Sequence, residues 1–405
     1  MSVTKNKGFQ YGIYVFTLGM LCAFAPMCSD MYLPSLPEIV IYFNSTPSQV
    51  QFSLTASFFG LALGQIVIGP VSDAYGRIKP LMLCLFLFTL SSLACALSPD
   101  IWFFIFFRLV QGISAAGGIV LTRSIACDRF KGNELTSFMS FLMAINSLGP
   151  ILGPVIGSLV VTYFSWTVIF FILVGWGLIL IYLTRFYVPE SLAVEKRENG
   201  ALTSILKMKT DLLNLKFMLS VLSLSFVMGG FFSYLAASPF VFQKIYGFTP
   251  FEYSLTFAFI AVCISVVASS AGRLSRRLSE IKVVFLSYFL LIISGTGVLL
   301  ISIVKPESFL PVLVCLAVYC SMMGLSQSAG FGVIMSLKKG GAGAASGIFG
   351  VMYFFIGALV SPLVGVMGEM SMIPFGTNLT LCAVLSVSLL YISIRIKDEK
   401  HSDSK

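Results

Sequence analysis

The sequence is poor in charge. Asp, Glu, Lys and Arg make up 11% of its 405 residues, whereas 57% of the residues are hydrophobic and the mean hydropathy is +0.95. Soluble domains carry about 25% charged residues, so the composition excludes a soluble globular protein. The single histidine, His401, lies in a polar stretch near the C-terminus, so no buried imidazole is available to carry protons.

The chemical groups that enzymes use are also scarce. None of the nine cysteines forms a CxxC pair, and eight lie in apolar runs, where cysteine behaves as a small hydrophobe. The sequence has no metal-binding cluster, no nucleophile with an adjacent base and no phosphate-binding loop. We therefore expect no metal, disulfide, cofactor, enzymatic activity or ATP hydrolysis. The net charge of +9 is spread in short clusters between apolar runs, which argues against a nucleic-acid partner.

Long apolar runs dominate the chain. About 20 apolar residues cross the roughly 30 Å of hydrocarbon in a bilayer. The first run is too long for the core of a cleaved signal peptide, so we expect it to be retained as a span. The sequence thus predicts an all-α polytopic membrane protein with twelve transmembrane helices, at about 9–29, 48–71, 81–98, 101–123, 135–162, 166–187, 216–242, 251–272, 283–304, 309–336, 343–367 and 373–395.

The basic residues predict the orientation of these spans. With the N-terminus inside, 23 of the 26 Lys and Arg fall on the cytoplasmic side, and Lys244 and Lys305 fall outside. Arg108 remains within the membrane. Because cytoplasmic loops are enriched in Lys and Arg, we expect both termini to be cytoplasmic, in a multi-pass protein of a cytoplasmic membrane.

The chain divides into two halves. The longest polar stretch predicts a cytoplasmic linker at 189–215, between an N-terminal six-helix bundle at 1–188 and a C-terminal bundle with a short tail at 216–405. A shift of 203 residues aligns Thr46-Pro47 with Thr249-Pro250, and a shift of 208 aligns Gly149–Gly157 with Gly357–Gly365. Repeated bundles with a site between them at mid-membrane are an architecture of transporters.

Two charges stand within or beside the apolar runs. A charge at the centre of a membrane helix costs about 2.5 to 3.5 kcal/mol on insertion scales, so such residues usually line a polar path or pair with each other. Asp30 ends the first run, and Arg108 lies inside the fourth. We expect these two residues to face each other and to carry proton coupling; a structural ion pair is the alternative for Arg108.

Three further segments combine small residues with turn or charge features. The segment Gly69–Lys79 predicts a tight turn in which Gly76 takes positive φ and Asp73 pairs with Arg77, Arg123 or Arg129. The alternative for this segment is an ordinary charged loop. The small residues of Arg108–Gly118 permit close helix packing. In the fifth run Gly149, Pro150, Gly153, Pro154 and Gly157 predict a helix that bends and packs closely, or else a harmless kink.

Taken together, these segments resemble the signature motifs of the major facilitator superfamily. The stretch Asp30–Pro37 is similar to the end of span one in its Bcr/CflA branch of drug/proton antiporters, and the Gly-Pro repeat resembles the motif of its exporters. The resemblance implies a major facilitator fold and proton coupling through Asp30 and Arg108. It also implies gating or conformational roles for Asp73, Gly76, Arg77, Asp128, Gly149, Pro150, Gly153, Pro154 and Gly157.

The resemblance leads to a functional prediction. We expect proton-coupled efflux of small amphipathic compounds, such as drugs or secreted metabolites including siderophores, driven by the proton gradient through alternating access in a functional monomer in the bacterial inner membrane. A proton-coupled importer and a non-transporting membrane sensor are the alternatives. Candidate substrate-binding residues are Tyr32, Gln111, Asn146, Tyr234, Tyr319, Gln327 and Tyr353, with Gln243, Met139 and Met143 as further cavity candidates.

Overall fold

The computed structural model describes residues 2–197, 212–304, 307–337, 342–365 and 371–396. Within these ranges the regular elements are helical. They are α1 Ser2–Asp30, α2 Leu36–Tyr42, α3 Pro47–Tyr75, α4 Ile78–Ala96, α5 Ile101–Arg129, α6 Gly132–Tyr163, α7 Thr167–Tyr187, α8 Leu215–Phe240, α9 Pro250–Ser269, α10 Ala271–Leu278, α11 Glu280–Val304, α12 Leu310–Leu337, α13 Ala342–Val360 and α14 Ile373–Arg395. Single turns of 3-10 helix occupy Leu33–Ser35, Val194–Lys196 and Ser361–Gly365, and a π-turn occupies Val241–Ile245.

The helices are long and apolar enough to cross a membrane. Eleven segments of the described chain meet that condition by themselves, and α6 contributes the shorter apolar stretch Leu148–Tyr163. The whole of α6 has 32 residues, which is about 48 Å of helix, so it supplies a twelfth crossing. The predicted all-α polytopic fold is confirmed.

Two six-helix bundles are built on one packing scheme. In the first, α1 packs against α5, α6 and α7, α3 packs against α5, and α4 packs against α5 and α7. In the second, α8 packs against α12, α13 and α14, α9 packs against α12, and α11 packs against α12 and α14. Each pairing in one bundle therefore has its counterpart in the other.

Local features repeat as well. Thr46 and Thr249 both cap a helix through a reciprocal capping box, the first with Gln49 and the second with Glu252. Each box satisfies backbone N–H groups that the first helical turn leaves unpaired. The sequence match at a shift of 203 residues is thus a pair of equivalent helix starts.

The predicted linker at 189–215 lies partly outside the described residues, which omit 198–211. The described part, Pro189–Arg197, lies against the first bundle: Arg129 donates to the carbonyls of Pro189 and Glu190, and Ser191 donates to Asp128. The boundaries of the two domains remain predictions.

The bundles contact each other chiefly towards one end, although Gln65 of α3 also lies against Gly350 of α13, nearer the other end. They touch through α3 with α13 and α6 with α9. This end holds residues 43–46 and 246–249, and the basic residues predict that it is the outer end. Among described residues, the hydrogen bonds that join the two bundles all lie there: Gln51 Nε2 to Ala236 O (3.2 Å), Thr55 Oγ1 with Ser361 Oγ (2.9 Å), Ser158 Oγ to Ser254 Oγ (3.0 Å) and Gln243 Nε2 to Pro34 O (2.9 Å).

Candidate functional site

Asp30 is buried at the end of α1. Only 5% of the residue is exposed, and its Oδ1 accepts a hydrogen bond of 2.9 Å from Ser29 Oγ. The glycines of α6 bring the two helices together here. A Cβ added to Gly153 would lie 3.1 Å from the Cβ of Asp30, and one added to Gly157 would collide with the Met31 carbonyl oxygen. The Gly-Pro segment therefore packs on the turn of α1 that carries the carboxylate.

Arg108 is fully buried in α5, inside the first bundle. Its Nη1 donates to Gln111 Oε1 (2.5 Å) and to Cys28 O (3.3 Å), and its guanidinium carbon lies 4.2 Å from the centre of the Tyr32 ring. The ion pairs of the described chain involve Arg77, not Arg108. The expected direct contact between Asp30 and Arg108 is therefore absent from this conformation, because the guanidinium is directed towards Gln111 and over Tyr32.

Two nitrogens of Arg108 do not take part in these hydrogen bonds. Its Nε and Nη2 are buried and have no hydrogen-bond partner among the described residues. Buried polar groups are nearly always paired, so unpaired ones require a water, an ion or a different state of the protein. These two N–H groups can donate to a carboxylate or a water without displacing a hydrogen bond that the side chain already makes.

Two of the predicted substrate-binding residues support Arg108 from within the bundle. Gln111 Nε2 donates to Ser92 Oγ (2.7 Å), and the Tyr32 hydroxyl lies 3.2 Å from Ser53 Oγ. Tyr32 and Gln111 are both fully buried. In this conformation they hold the guanidinium rather than line an open cavity.

The second-bundle candidates divide into two groups. Tyr234 and Tyr319 are buried, the first stacked on Phe257 and the second donating to the Leu379 carbonyl. Gln327 and Tyr353 are partly exposed. Gln327 Nε2 donates to the Leu224 carbonyl (2.9 Å), while Tyr353 stands edge-on to Phe232, whose ring centre lies 4.1 Å from that of Phe58 in the first bundle.

The remaining cavity candidates differ in position. Asn146 and Met139 are partly exposed on α6, and the side chain of Met143 lies outside the described residues. Gln243 is one of the outer contacts between the bundles. Of the polar residues predicted to bind substrate, Tyr353 is thus the one beside the aromatic cluster in which the bundles meet.

Asp30 lies near the second bundle, because the 3-10 turn Leu33–Ser35, three residues further along the chain, contacts α8 and α9. The buried side chains of Tyr234 and Tyr253 belong to these two helices. The hydroxyl oxygen of Tyr253 lies 3.1 Å from Ser238 Oγ, which is hydrogen-bond distance. Sequence analysis did not single out Tyr253 or Ser238, because nothing in an apolar run distinguishes a tyrosine at a bundle interface from one in a core.

A second polar cluster lies at the opposite, predicted inner end. Arg77 donates to Asp73 (2.5 Å) and Asp128 (3.0 Å), and also to Ser72 Oγ (2.7 Å). Burial acts to lower the pKa of Arg77, but the hydrogen bonds and charges of Asp128 and Asp73 outweigh it and raise that pKa. The expected Asp73–Arg77 pair is thus present, with Asp128 as a second partner from α5.

Glu190 extends this cluster to the start of the linker. Its carboxylate accepts from the backbone N–H groups of Arg77 (2.9 Å) and Ile78 (3.2 Å), at the beginning of α4. Burial acts to raise the pKa of Glu190, but these bonds and those from the N–H groups of Leu192 and Ser191 outweigh it and lower the pKa. Gly76 has φ +90°, as the turn requires, and a Cβ there would lie 2.6 Å from the Glu190 carboxylate.

Two repeated six-helix bundles, closed against each other at one end around a buried carboxylate, define the class of secondary membrane transporters. The particular family follows from comparison with known proteins. The chain belongs to the major facilitator superfamily, because the family model described as Major Facilitator Superfamily matches residues 18–362. The resemblance inferred from the motifs is confirmed. The protein is a multi-pass membrane transporter and not an enzyme.

Relatives agree with that assignment. The chain is 37% identical over 373 residues to an uncharacterized MFS-type transporter, YdgK, of Bacillus subtilis, covering 91% of this chain and 92% of that one. It is 27% identical to a bicyclomycin resistance protein homolog of Haemophilus influenzae, covering 94% and 95%. It is 26% identical to the multidrug resistance protein MdtL of Salmonella paratyphi C, covering 92% and 94%. These names are consistent with the drug/proton antiporter branch.

Solved structures share the fold. The crystal structure of a D-xylose-proton symporter superposes with a TM-score of 0.73 at 16% identity, covering 94% of this chain and 98% of that one. A bacterial homolog of the human lysosomal transporter Spinster, in an inward-facing and unoccupied conformation, gives a TM-score of 0.71 at 13% identity, covering 95% of each chain.

Proposed function

We propose that the protein exports small amphipathic compounds, such as drugs or secreted metabolites including siderophores, in exchange for protons. It would act as a monomer in the bacterial cytoplasmic membrane, with both termini inside. The relatives named for bicyclomycin and multidrug resistance support the drug branch. The proton gradient is the energy source in this proposal.

The position of Asp30 is the observation that carries the proposal. Its carboxylate is buried and bonded to Ser29, and the turn that follows it contacts α8 and α9 of the second bundle. A buried carboxylate without an ion-pair partner can be protonated or ionised according to its surroundings. Its surroundings change when the bundles move, so its proton occupancy can follow the transport cycle.

Arg108 would regulate that occupancy. Its unpaired Nε and Nη2 are donors that a carboxylate could reach in another conformation, and charge-assisted bonds to guanidinium favour the ionised acid. When Asp30 is directed to Arg108, its proton would leave. When Asp30 is not in contact with Arg108, as here, the proton would be retained until substrate or water arrives.

The contacts between the bundles support an inward-open state as one end of the cycle. The hydrogen bonds from Gln51, Thr55, Ser158 and Gln243 hold the outer end, and Arg77, Asp73 and Asp128 are satisfied within the first bundle alone. Substrate would enter from the cytoplasm, the outer bonds would break as the inner end closes, and a proton from outside would release the substrate.

The experiment begins with an efflux screen of toxic compounds in a strain lacking other pumps, with and without a proton uncoupler. A substrate found there is then used with purified protein in liposomes under an imposed pH gradient. Asp30→Asn should lose uphill transport and its pH dependence while keeping some downhill exchange, and Arg108→Ala should be inactive.

Asp100→Asn is the matched control. Asp100 caps α5 by accepting from the N–H groups of Trp102 (2.8 Å) and Phe103 (3.0 Å), and asparagine caps a helix about as well as aspartate. That variant should transport like the wild type. Uphill transport by Asp30→Asn would refute the coupling role, and proton-driven accumulation towards the cytoplasmic side would identify the protein as an importer.

A further inference from the structure

The turn that joins α3 to α4 occurs again between α10 and α11. Gly76 has φ +90° in the first turn, and Ser279 has φ +72° in the second. A shift of 203 residues relates these two positions and also aligns Gly69 with Gly272 and Ile78 with Ile281. Positive φ is uncommon for a residue with a side chain, so its presence at Ser279 marks the same turn geometry in both bundles.

The charges around the two turns are opposite. The same shift places Arg276 where the first bundle has Asp73, and Glu280 where it has Arg77. In the first turn two carboxylates neutralise the single guanidinium of Arg77. In the second turn no carboxylate of the described residues lies within ion-pair distance of Arg276.

Glu280 does not neutralise the second turn. Its carboxylate lies against α12, where a Cβ added to Gly332 would be 2.8 Å from both of its oxygens. Arg273 and Arg277 likewise have no carboxylate partner in the described part of the chain, and Arg276 donates Nε only to the Gly272 carbonyl (3.2 Å). Among the residues that the structure describes, these three positive charges within five residues therefore have no carboxylate as counter-charge.

These arginines form one face of α10. Arg273, Arg276 and Arg277 stand at helical positions i, i+3 and i+4, which are neighbours on a helix surface, and all three are exposed. Ala271, on the opposite face, is buried, and Leu274, which flanks the arginines, packs on the core. An open concavity of about 450 Å³ is lined by Ser270, Arg273, Leu274, Arg276 and Arg277, and we call it the α10 basic concavity.

The concavity lies at the edge of the membrane. Helix α10 ends the apolar segment Pro250–Leu278, which begins with α9, and α11 follows it. Both that segment and α11 are long and apolar enough to span a bilayer. Leu278, at the end of α10, is 40% exposed beside the arginines. A ligand that suits this place has an anionic group for the guanidiniums and an apolar part for the neighbouring leucine.

We propose that the α10 basic concavity binds the headgroup phosphate of an anionic phospholipid. Guanidinium groups bind phosphate oxygens through paired hydrogen bonds, and clusters of basic residues next to membrane spans attract anionic lipids. The lipid phosphate supplies the counter-charge that Asp73 and Asp128 supply in the first bundle. This site is independent of the proposed transport reaction.

Native mass spectrometry of the purified full-length protein, titrated with phosphatidylglycerol or phosphatidylcholine, tests the proposal. The wild type should retain phosphatidylglycerol in preference to phosphatidylcholine. The triple variant R273Q/R276Q/R277Q should bind phosphatidylglycerol about 100-fold more weakly, since each basic residue near an anionic surface contributes about fivefold. Replacement of the three arginines by lysine should weaken binding less than replacement by glutamine, because lysine keeps the charges but loses the paired hydrogen bonds.

The control removes the same charge elsewhere. Lys79, Lys131 and Arg185 are exposed basic residues at the predicted inner end of the first bundle, and K79Q/K131Q/R185Q should bind phosphatidylglycerol like the wild type. If both triple variants bound phosphatidylglycerol equally weakly, the effect would depend on net charge alone, and the proposed site would be refuted. Displacement of the lipid by millimolar inorganic phosphate would also overturn it, because the concavity would then take soluble anions.

Discussion

Gly157 lies where α6 comes closest to α1, which makes it the most sensitive position in the Gly-Pro segment. A Cβ at this position would collide with the Met31 carbonyl oxygen and lie 2.8 Å from its carbonyl carbon. Both atoms are backbone, so no side-chain rotation relieves the contact. Replacing Gly157 with alanine must therefore move one helix relative to the other, next to Asp30.

The size of the effect follows from a matched comparison. Overpacking of a well-packed site costs about 1 to 3 kcal/mol, while replacing an interior helical glycine with alanine gains about 1 kcal/mol in helix propensity. Gly175 in α7 has nothing within 4 Å of an added Cβ. Gly175→Ala should therefore show the gain alone, and Gly157→Ala should be less stable than Gly175→Ala by about 1 to 3 kcal/mol.

The measurement is the apparent melting temperature of both variants in the same detergent, together with transport in liposomes. We expect Gly157→Ala to melt below Gly175→Ala and to transport more slowly, because displacement of α1 moves the carboxylate. Gly157→Leu should insert and be nearly inactive. Equal melting temperatures and equal transport for the two alanine variants would refute the packing argument.

Three more predictions concern the helix ends. Asp128→Asn should slow turnover more than Asp73→Asn, because the side chain of Asp128 is 18% exposed and that of Asp73 is 37% exposed, and ion pairs weaken with exposure; equal rates would contradict this. Glu190→Gln should speed amide exchange at Arg77 at neutral pH. Because the folded pKa of Glu190 is lowered, its contribution is present above the unfolded pKa and lost as pH falls through the folded value, so the difference from wild type should vanish in acid. Thr249→Ala should cost about 1 kcal/mol of stability, measured by thermal melting, and an unchanged melting temperature would count against the cap.

The fold could be predicted from the sequence because the membrane imposes it. Backbone groups in hydrocarbon must be paired within the segment, so a run of about 20 apolar residues has helix as its stable form. The repeat was also visible, since Thr46-Pro47 and Thr249-Pro250 mark two equivalent helix starts. The faces of the helices were not visible, because nearly uniform apolar runs give no periodic signal.

The candidate site was less predictable for the same reason. The sequence singled out Asp30 and Arg108 as rare charges, but their separation depends on side-chain direction, which the Tyr32 ring and Gln111 determine. Glu190 looked like an ordinary linker charge, and its place at the start of α4 required the fold. The Asp73–Arg77 pair, whose members are four residues apart across the turn at Gly76, was one of three pairings expected for Asp73, and the structure shows that it forms.

The outer contacts between the bundles lie next to the buried carboxylate of Asp30. Gly157 lies against the backbone of Met31, the residue after Asp30. The next residue of α6, Ser158, donates a hydrogen bond to Ser254 of the second bundle. Opening the outer end must break this bond and the three other hydrogen bonds between the bundles. At about 0.5 to 1.5 kcal/mol each, four such bonds amount to about 2 to 6 kcal/mol. The same movement would separate α9 from the turn that follows Asp30 and admit water. Protonation of one carboxylate is worth about 1.4 kcal/mol per pH unit of difference, so one pH unit meets only part of that cost. In the proposed exchange the binding of substrate would supply the rest.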